Sequence, residues 1–166
     1  MALATSDKDA MPSVRTVLLK GFDERGFVFY TNYESDKAKD LISNPKASLL
    51  FLWKEIERQV RISGTVEKTS KEESEEYFKT RPYESRLGAW ASKQSSIISG
   101  RDVLENKFED YKSLYPDNNV PLPPFWGGFR VIPDRIEFWQ GRENRLHDRI
   151  CYIKKEGTWE IERLSP

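Results

Sequence analysis

Cationic and hydroxyl side chains recur in this 166-residue sequence at spacings that could hold an anion. The most informative run is Trp139-Gln140-Gly141-Arg142-Glu143-Asn144-Arg145-Leu146-His147-Asp148-Arg149. If Arg145 to Arg149 is extended, the two-residue period places Arg145, His147 and Arg149 on one face. Such a strip suits an anionic or electron-rich planar ligand. A second set, Tyr77, Arg81 and Ser85, has the i, i+4, i+8 spacing of one helix face. Pro82 interrupts that helix, but the phenol, guanidinium and hydroxyl could still converge as donors to a phosphate. A third group is Arg15-Thr16-Val17-Leu18-Leu19-Lys20, where regular alternation puts Arg15 and Lys20 on opposite faces. A fourth is the polar loop Gln94-Ser95-Ser96. A solvated strand face or an exposed helix end would carry the same residues, and pattern alone leaves both readings open.

Composition narrows the chemistry. Lys plus Arg number 27 and Asp plus Glu number 27, so there is no cationic excess to drive binding to nucleic acid or to a membrane surface. The lone Cys151 excludes an intrachain disulfide framework and fits a reducing, cytoplasmic setting. With a single histidine, His147, the usual zinc ligand sets are also absent. A Cys-His dyad fails on geometry, because four residues of strand separate the pair by about 13 Å. There is no G-x-G-x-x-G, no P-loop and no G-x-S-x-G elbow. The longest apolar run, Ser48 to Trp53, is far too short to span a bilayer, and the N-terminus lacks the pattern of a signal peptide.

The elements that must position these residues read as mostly strand. Val14 to Lys20 and Phe27 to Thr31 are expected as a hairpin around the turn Gly21 to Gly26. Ser35 is a candidate N-cap for a short helix through Leu41-Ile42, stopped by Asn44-Pro45. Ala47 to Trp53 reads as a buried strand, and Arg58 to Thr69 as a long one with a bulge at Gly64. Ser70-Lys71-Glu72-Glu73 is a capping box for a helix ending near Arg81-Pro82. Glu84 to Ala91 and Asp102 to Leu114 are helical by pattern. Pro116 to Pro124 is a connector. Trp126 to Ile132, Arg135 to Gln140, His147 to Lys154 and Trp159 to Leu164 read as four closing strands. About seven strands with three short helices inserted mid-chain give a mainly β, α+β fold, an antiparallel barrel with helical decorations. Length makes a single domain over residues 1–166 the default.

Several stretches, in order along nearly the whole chain, resemble the pyridoxine (pyridoxamine) 5'-phosphate oxidase family. They include Arg15 to Lys20, Phe29-Tyr30-Thr31-Asn32, Arg58-Gln59-Val60-Arg61, Tyr77 to Pro82, Gly88 to Ser96, Phe125-Trp126-Gly127-Gly128, Glu137 to Gly141, Asn144 to Arg149 and Glu162 to Pro166. The pairing of Trp139-Gln140-Gly141 with Arg145-Leu146-His147-Asp148-Arg149 is the most specific. The resemblance implies an FMN-binding split β-barrel and a homodimer with FMN at the interface. It implies FMN contacts from Arg15, Thr16, Val17, Leu18, Leu19, Lys20, Tyr30, Thr31, Lys37, Gln59, Gln94, Ser95, Trp139 and Arg149. Lys20, Tyr77, Arg81 and Ser85 would hold a substrate phosphate, with Arg145, Leu146 and His147 against the substrate ring. Arg145 and His147 would be the catalytic pair.

The implied activity is oxidation of pyridoxamine 5'-phosphate and pyridoxine 5'-phosphate to pyridoxal 5'-phosphate, with dioxygen as acceptor and hydrogen peroxide as product. Two departures stand out. Family members start with a longer N-terminal arm, and they usually carry Arg-Lys where this chain has Asp36-Lys37, which removes one expected FMN-phosphate contact. A non-catalytic FMN or pyridoxal phosphate binder and a split-barrel flavin reductase are the rival readings.

Overall fold

A computed structural model describes all 166 residues. In chain order the elements are β1 (Ala2–Ser6), β2 (Pro12–Thr16), β3 (Gly21–Asp23), β4 (Gly26–Asn32), α1 (Asp36–Ser43), β5 (Lys46–Trp53), β6 (Arg58–Lys68), α2 (Lys71–Thr80), α3 (Tyr83–Ala91), α4 (Asp102–Leu114), β7 (Trp126–Gln140), β8 (Asp148–Lys155) and β9 (Thr158–Arg163). Short 3-10 turns occupy Lys54–Ile56 and Glu143–Arg145. The strands form one open sheet in the order β2-β1-β5-β6-β7-β4-β3, with β8 on β7 and β9 on β8. No helix is long and apolar enough to cross a membrane.

The chain divides into two compact units. The first comprises Met1–Phe29, Asp40–Glu67 and Arg130–Pro166. Its buried apolar residues come from alternate strand positions: Leu3 on β1, Leu49 on β5, Ile62 on β6, Val131 on β7 and Cys151 on β8 are all at most 1% exposed. The second comprises Tyr30–Lys39 and Lys68–Phe129. Its core is Phe78, Leu87, Val120 and Trp126, packed with partly buried aromatics that include Tyr30, Tyr77, Trp90 and Tyr111. The high aromatic content of the sequence is thus largely the core material of a small helical unit.

Most elements fall where periodicity placed them, α4 to the residue, and four expectations are corrected. First, β2 stops at Thr16 and Val17 to Lys20 leave the strand. Its partner is β1, in the register Ala2↔Thr16, with one further bond from Val17 N–H to the Met1 carbonyl. The hairpin partner of β4 is therefore β3, which occupies the residues expected to be turn. Second, Trp126 to Gln140 is one strand rather than two. The β8 ladder begins at Arg135, two residues beyond Pro133. Third, the register of β5 with β6 runs unbroken through Ala47↔Gly64, so there is no bulge in that pairing. Fourth, there are nine strands and four helices.

Gly64 has a different reason to be glycine. A Cβ there would lie 1.9 Å from the Ile132 carbonyl oxygen and 2.9 Å from the Pro133 Cα. The obstacle is backbone, which cannot swing aside as a side chain can. Gly64→Ala should therefore lie at the severe end of overpacking, about 3 kcal/mol or more. Thermal unfolding is the check, with a fall of about 6–12 °C expected for a chain of this size.

Candidate functional site

In the second unit the start of α1 gathers donors around one small space. Ser35 precedes the helix, and its carbonyl accepts the first helical bonds, from the N–H groups of Ala38 and Lys39. Its hydroxyl does not cap the helix. It donates to the Asn32 carbonyl at 2.7 Å and accepts from Lys37 Nζ at 3.2 Å. Lys37 Nζ also donates to Thr31 Oγ1 at 3.2 Å, and that hydroxyl donates to Gln94 Oε1 at 3.1 Å. The Asp36 N–H donates to Ser95 Oγ at 3.3 Å. Ser95 has a φ of +67°, a left-handed conformation that is uncommon outside glycine. One ammonium, three hydroxyls and a first-turn N–H at a positive helix end are donor types suited to a phosphate-type anion. Thr31, Lys37, Gln94 and Ser95, four of the residues the sequence pointed to, meet here. The Asp36 carboxylate pairs with Lys39 at 3.3 Å and is largely exposed.

A second cationic feature of the same unit has aromatic walls. Helix α2 opens on the expected cap, with Ser70 Oγ accepting from the Glu73 N–H at 3.0 Å, and ends at Arg81, whose φ, ψ of −73°, 145° are extended. Pro82 then leads into α3, so Tyr77, Arg81 and Ser85 do not share one continuous helix. The Arg81 guanidinium lies 4.7 Å from the Trp126 ring centroid and 5.5 Å from that of Phe78. Its Nη1 is buried with no hydrogen-bond partner. Burial pulls the Arg81 pKa below its usual value, against the pull of the Tyr77 hydroxyl. Tyr30, assigned to FMN by the resemblance, stacks on Tyr77 at 4.0 Å and on Trp126 at 5.4 Å.

In the first unit a cavity of about 450 Å³ is lined by Trp53, Gln59, Val60, Trp139, Gln140 and Asp148, among others. Gln59 and Trp139 are thus brought together. The glutamine-glycine pair after Trp139 acts as a brace. Gln140 Oε1 accepts from Arg58 Nε at 2.5 Å, and Gln140 Nε2 donates to the Ile56 carbonyl at 3.2 Å. The Gly141 N–H donates to the Glu57 carbonyl at 2.8 Å, and a Cβ on Gly141 would collide with the Glu57 side chain at 2.5 Å.

The expected strip of Arg145, His147 and Arg149 does not form as a strand face. Glu143–Arg145 is a 3-10 turn, Asn144 and Arg145 take positive φ, and β8 begins only at Asp148. The His147 ring packs on Trp139, centroids 4.7 Å apart, and its Nδ1 accepts from the Arg142 N–H at 3.1 Å. In the neutral ring that places the proton on Nε2. Arg145 and Leu146 are exposed. Arg149 turns to Glu137: Nε donates to Oε1 at 2.8 Å, and Nη1 donates to the Ser165 carbonyl at 2.9 Å. Arg15 is held by Thr5 Oγ1 and Ser13 Oγ, both at 2.6 Å, with Asp40 at 3.7 Å.

Sequence reasoning missed Trp126 as a wall for Arg81, Ser35 as a partner of Lys37, and Glu137. Glu137 is 1% exposed and faces Arg149, Arg135 at 3.5 Å and Arg61 at 3.9 Å. A glutamate on the buried face of a strand flanked by apolar residues was the available signal.

Residues 1–115 match the family described as pyridoxamine 5'-phosphate oxidase, and residues 126–166 match the pyridoxine 5'-phosphate oxidase C-terminal dimerisation region. The chain is 62% identical over its full length to a pyridoxine/pyridoxamine 5'-phosphate oxidase of Gloeothece citriformis, covering 78% of that protein. It is 59% identical, with the same coverage, to a protein of the same name from Cupriavidus taiwanensis. Among solved structures it is similar to PhzG from Burkholderia lata, crystallised with tetrahydrophenazine-1-carboxylic acid. The TM-score there is 0.94 and the identity 30%, over 99% of this chain and 81% of that one. A pyridoxamine 5'-phosphate oxidase-related, FMN-binding protein of Nostoc punctiforme shares the fold at a TM-score of 0.75 and 18% identity, over 99% of this chain and 86% of that one.

The Glu137 cluster sets a pH signature. Its carboxyl is held below the usual range, first by the hydrogen bond from Arg149, then by the charges of Arg61 and Arg149, against the opposing effect of burial. A depressed folded-state value means the cluster stabilises the fold above the ordinary glutamate pKa of 4.5 and loses that contribution as pH falls through the lower folded value. Glu137→Gln should lose on the order of 3 kcal/mol at neutral pH, because the guanidiniums lose their counter-charge. Denaturant unfolding at neutral and acidic pH checks this, and the gap from wild type should narrow in acid.

Proposed function

The chain belongs to the pyridoxine (pyridoxamine) 5'-phosphate oxidase family, and on that premise we propose that it is an FMN-dependent oxidase of pyridoxamine and pyridoxine 5'-phosphates, acting as a homodimer. The observation that supports the reading is two separate cationic features in one unit, each with the chemistry of an anion site. One is the Lys37, Thr31, Ser95 cradle. The other is Arg81, buried at Nη1 without a partner. A cofactor and a substrate that each end in a phosphate need one receptor apiece. The donor set at α1 fits the FMN phosphate, with a single ammonium and neutral hydroxyls in place of a metal. Arg149, Gln59 and Trp139 are proposed as further FMN contacts, and Arg15 to Lys20 as the segment that accompanies them.

When bound, FMN supplies the two-electron chemistry, with dioxygen as terminal acceptor and hydrogen peroxide as product. The protein supplies position and protons. Arg81, with Tyr77, Ser85 and Lys20, holds the substrate phosphate, so binding energy far from the reacting carbon is used to place it. His147 presents the Nε2 proton to polar groups of the substrate, because the Arg142 N–H occupies Nδ1. Arg145, on an exposed turn beside it, supplies a cation to the electron-rich ring. The likeness to PhzG favours a second reading, oxidation of a reduced heteroaromatic acid that carries no phosphate.

Purified, FMN-loaded protein should release peroxide with pyridoxamine 5'-phosphate and discriminate strongly against unphosphorylated pyridoxine. Charge-assisted contacts contribute roughly 1.5–3 kcal/mol each, so Arg81→Ala should lower kcat/KM for the phosphorylated substrate about tenfold or more. Equal losses on both substrates would remove Arg81 from the phosphate site. Activity on a reduced phenazine acid alone would favour the second reading, and bound FMN without peroxide would indicate a binding protein. Activity only with a nicotinamide donor would indicate a flavin reductase. Sedimentation should give twice the 19.5 kDa chain mass. An FMN-loaded monomer would contradict the dimer.

A further inference from the structure

Arg81 is held in an uncommon way. It makes no ion pair, so no carboxylate neutralises it. What faces its guanidinium is the π surface of Trp126 at 4.7 Å, with Phe78 at 5.5 Å behind. Trp126 is itself fixed on several sides. It is 8% exposed, its backbone N–H donates to the Pro123 carbonyl at 3.1 Å, and the Phe78 ring meets it edge-on at 5.1 Å. Tyr30 and Tyr77 lie nearly parallel to it, at 7° and 5°. Gly128 lets Tyr30 close on this stack, since a Cβ there would lie 2.9 Å from Tyr30 Cε1.

We propose that Trp126 is the positioning and specificity-determining residue for phosphate, the counter-surface that holds Arg81 withdrawn from water while leaving its N–H donors unclaimed. This inference rests on the substrate-phosphate reading of Arg81. A carboxylate in that place would fix the arginine equally well, but it would occupy the fork and repel an incoming dianion. An aromatic face attracts the cation through its quadrupole and competes for none of the in-plane N–H groups. The partly desolvated guanidinium stays charged, since burial lowers its pKa from a value far above neutrality. An arriving phosphate then satisfies the buried Nη1 and neutralises the charge together. A ligand without phosphate gains neither, so the wall converts one arginine into a discriminating contact.

The test is a graded series at one position, read as the ratio of kcat/KM for pyridoxine 5'-phosphate to that for pyridoxine in FMN-loaded protein. Indole is the strongest of the aromatic faces for a cation and an aliphatic group offers none. Trp126→Phe should lower the ratio about threefold and Trp126→Leu about tenfold, mostly through KM for the phosphorylated substrate. The inhibition constant of inorganic phosphate should weaken by matching factors. If Trp126→Leu does not fold, Trp126→Phe against wild type carries the same comparison. An unchanged ratio and phosphate constant in Trp126→Phe, or a loss shared equally by both substrates, would overturn the proposal and leave Trp126 as core packing. Failure of the wild-type enzyme to distinguish the two substrates would instead sink the underlying reading of Arg81.

Discussion

A guanidinium partly withdrawn from water without a carboxylate is a costly arrangement, and the second unit holds one against its aromatic core. Burying a cation costs several kcal/mol unless something compensates it. For Arg81 the compensation is an aromatic wall, and the wall needs its own support. Trp126 sits at the first position of β7, Tyr30 near the end of β4, and Tyr77 on α2. These three elements, far apart in sequence, are held in mutual register by stacking. Helix α2 carries one member of that stack, and Trp90, Tyr111 and Tyr115 pack against the same core.

The first unit solves the opposite electrostatic problem. Glu137 is a buried anion with three guanidiniums around it, and the most closely bound, Arg149, also reaches the carbonyl of Ser165. Leu164 donates its N–H to the Arg149 carbonyl at 2.9 Å, and Arg163 binds Asp148 at 2.6 Å. Residues 163–165 are therefore tied to β8, in part through Arg149, which the family resemblance assigns to FMN. The charge of the Glu137 cluster is satisfied within the protein, whereas Arg81 Nη1 in the other unit is buried without a hydrogen-bond partner. On the proposed reading, that difference separates a scaffold from a receptor.

The strands and helices were legible because their signals are local. The run Asp102 to Leu114 shows its apolar spacing plainly, and Ser70 with Glu73 marks a helix start that the structure reproduces. Where the outcome depended on a distant partner, local reading failed. Val17 to Lys20 has the composition of a strand, but its backbone bonds go to two different places, from Val17 N–H to Met1 and from Lys20 N–H to Val28. Pro133 looks like a break, yet the strand runs through it and the β8 ladder starts just beyond. Gly64 reads as a bulge, whereas its cause is the carbonyl of Ile132 pressed against it. For the site, residue type pointed to the Gln94-Ser95 loop, while Thr31 and Lys37 came from the family resemblance. Trp126 was not found, because a tryptophan in an aromatic-rich chain looks like core until the cation above it is seen.

The central claim is that two distinct phosphate receptors exist in one protein, and phosphorus NMR reads them separately. FMN-loaded protein titrated anaerobically with pyridoxamine 5'-phosphate should show a bound FMN resonance that holds its position and a second bound resonance that appears with ligand. In Arg81→Ala only the second should be lost or return to the free position. In Lys37→Ala only the FMN resonance should move. A single substitution that displaced both resonances together, or a ligand phosphate that never left its free shift in wild type, would contradict the account.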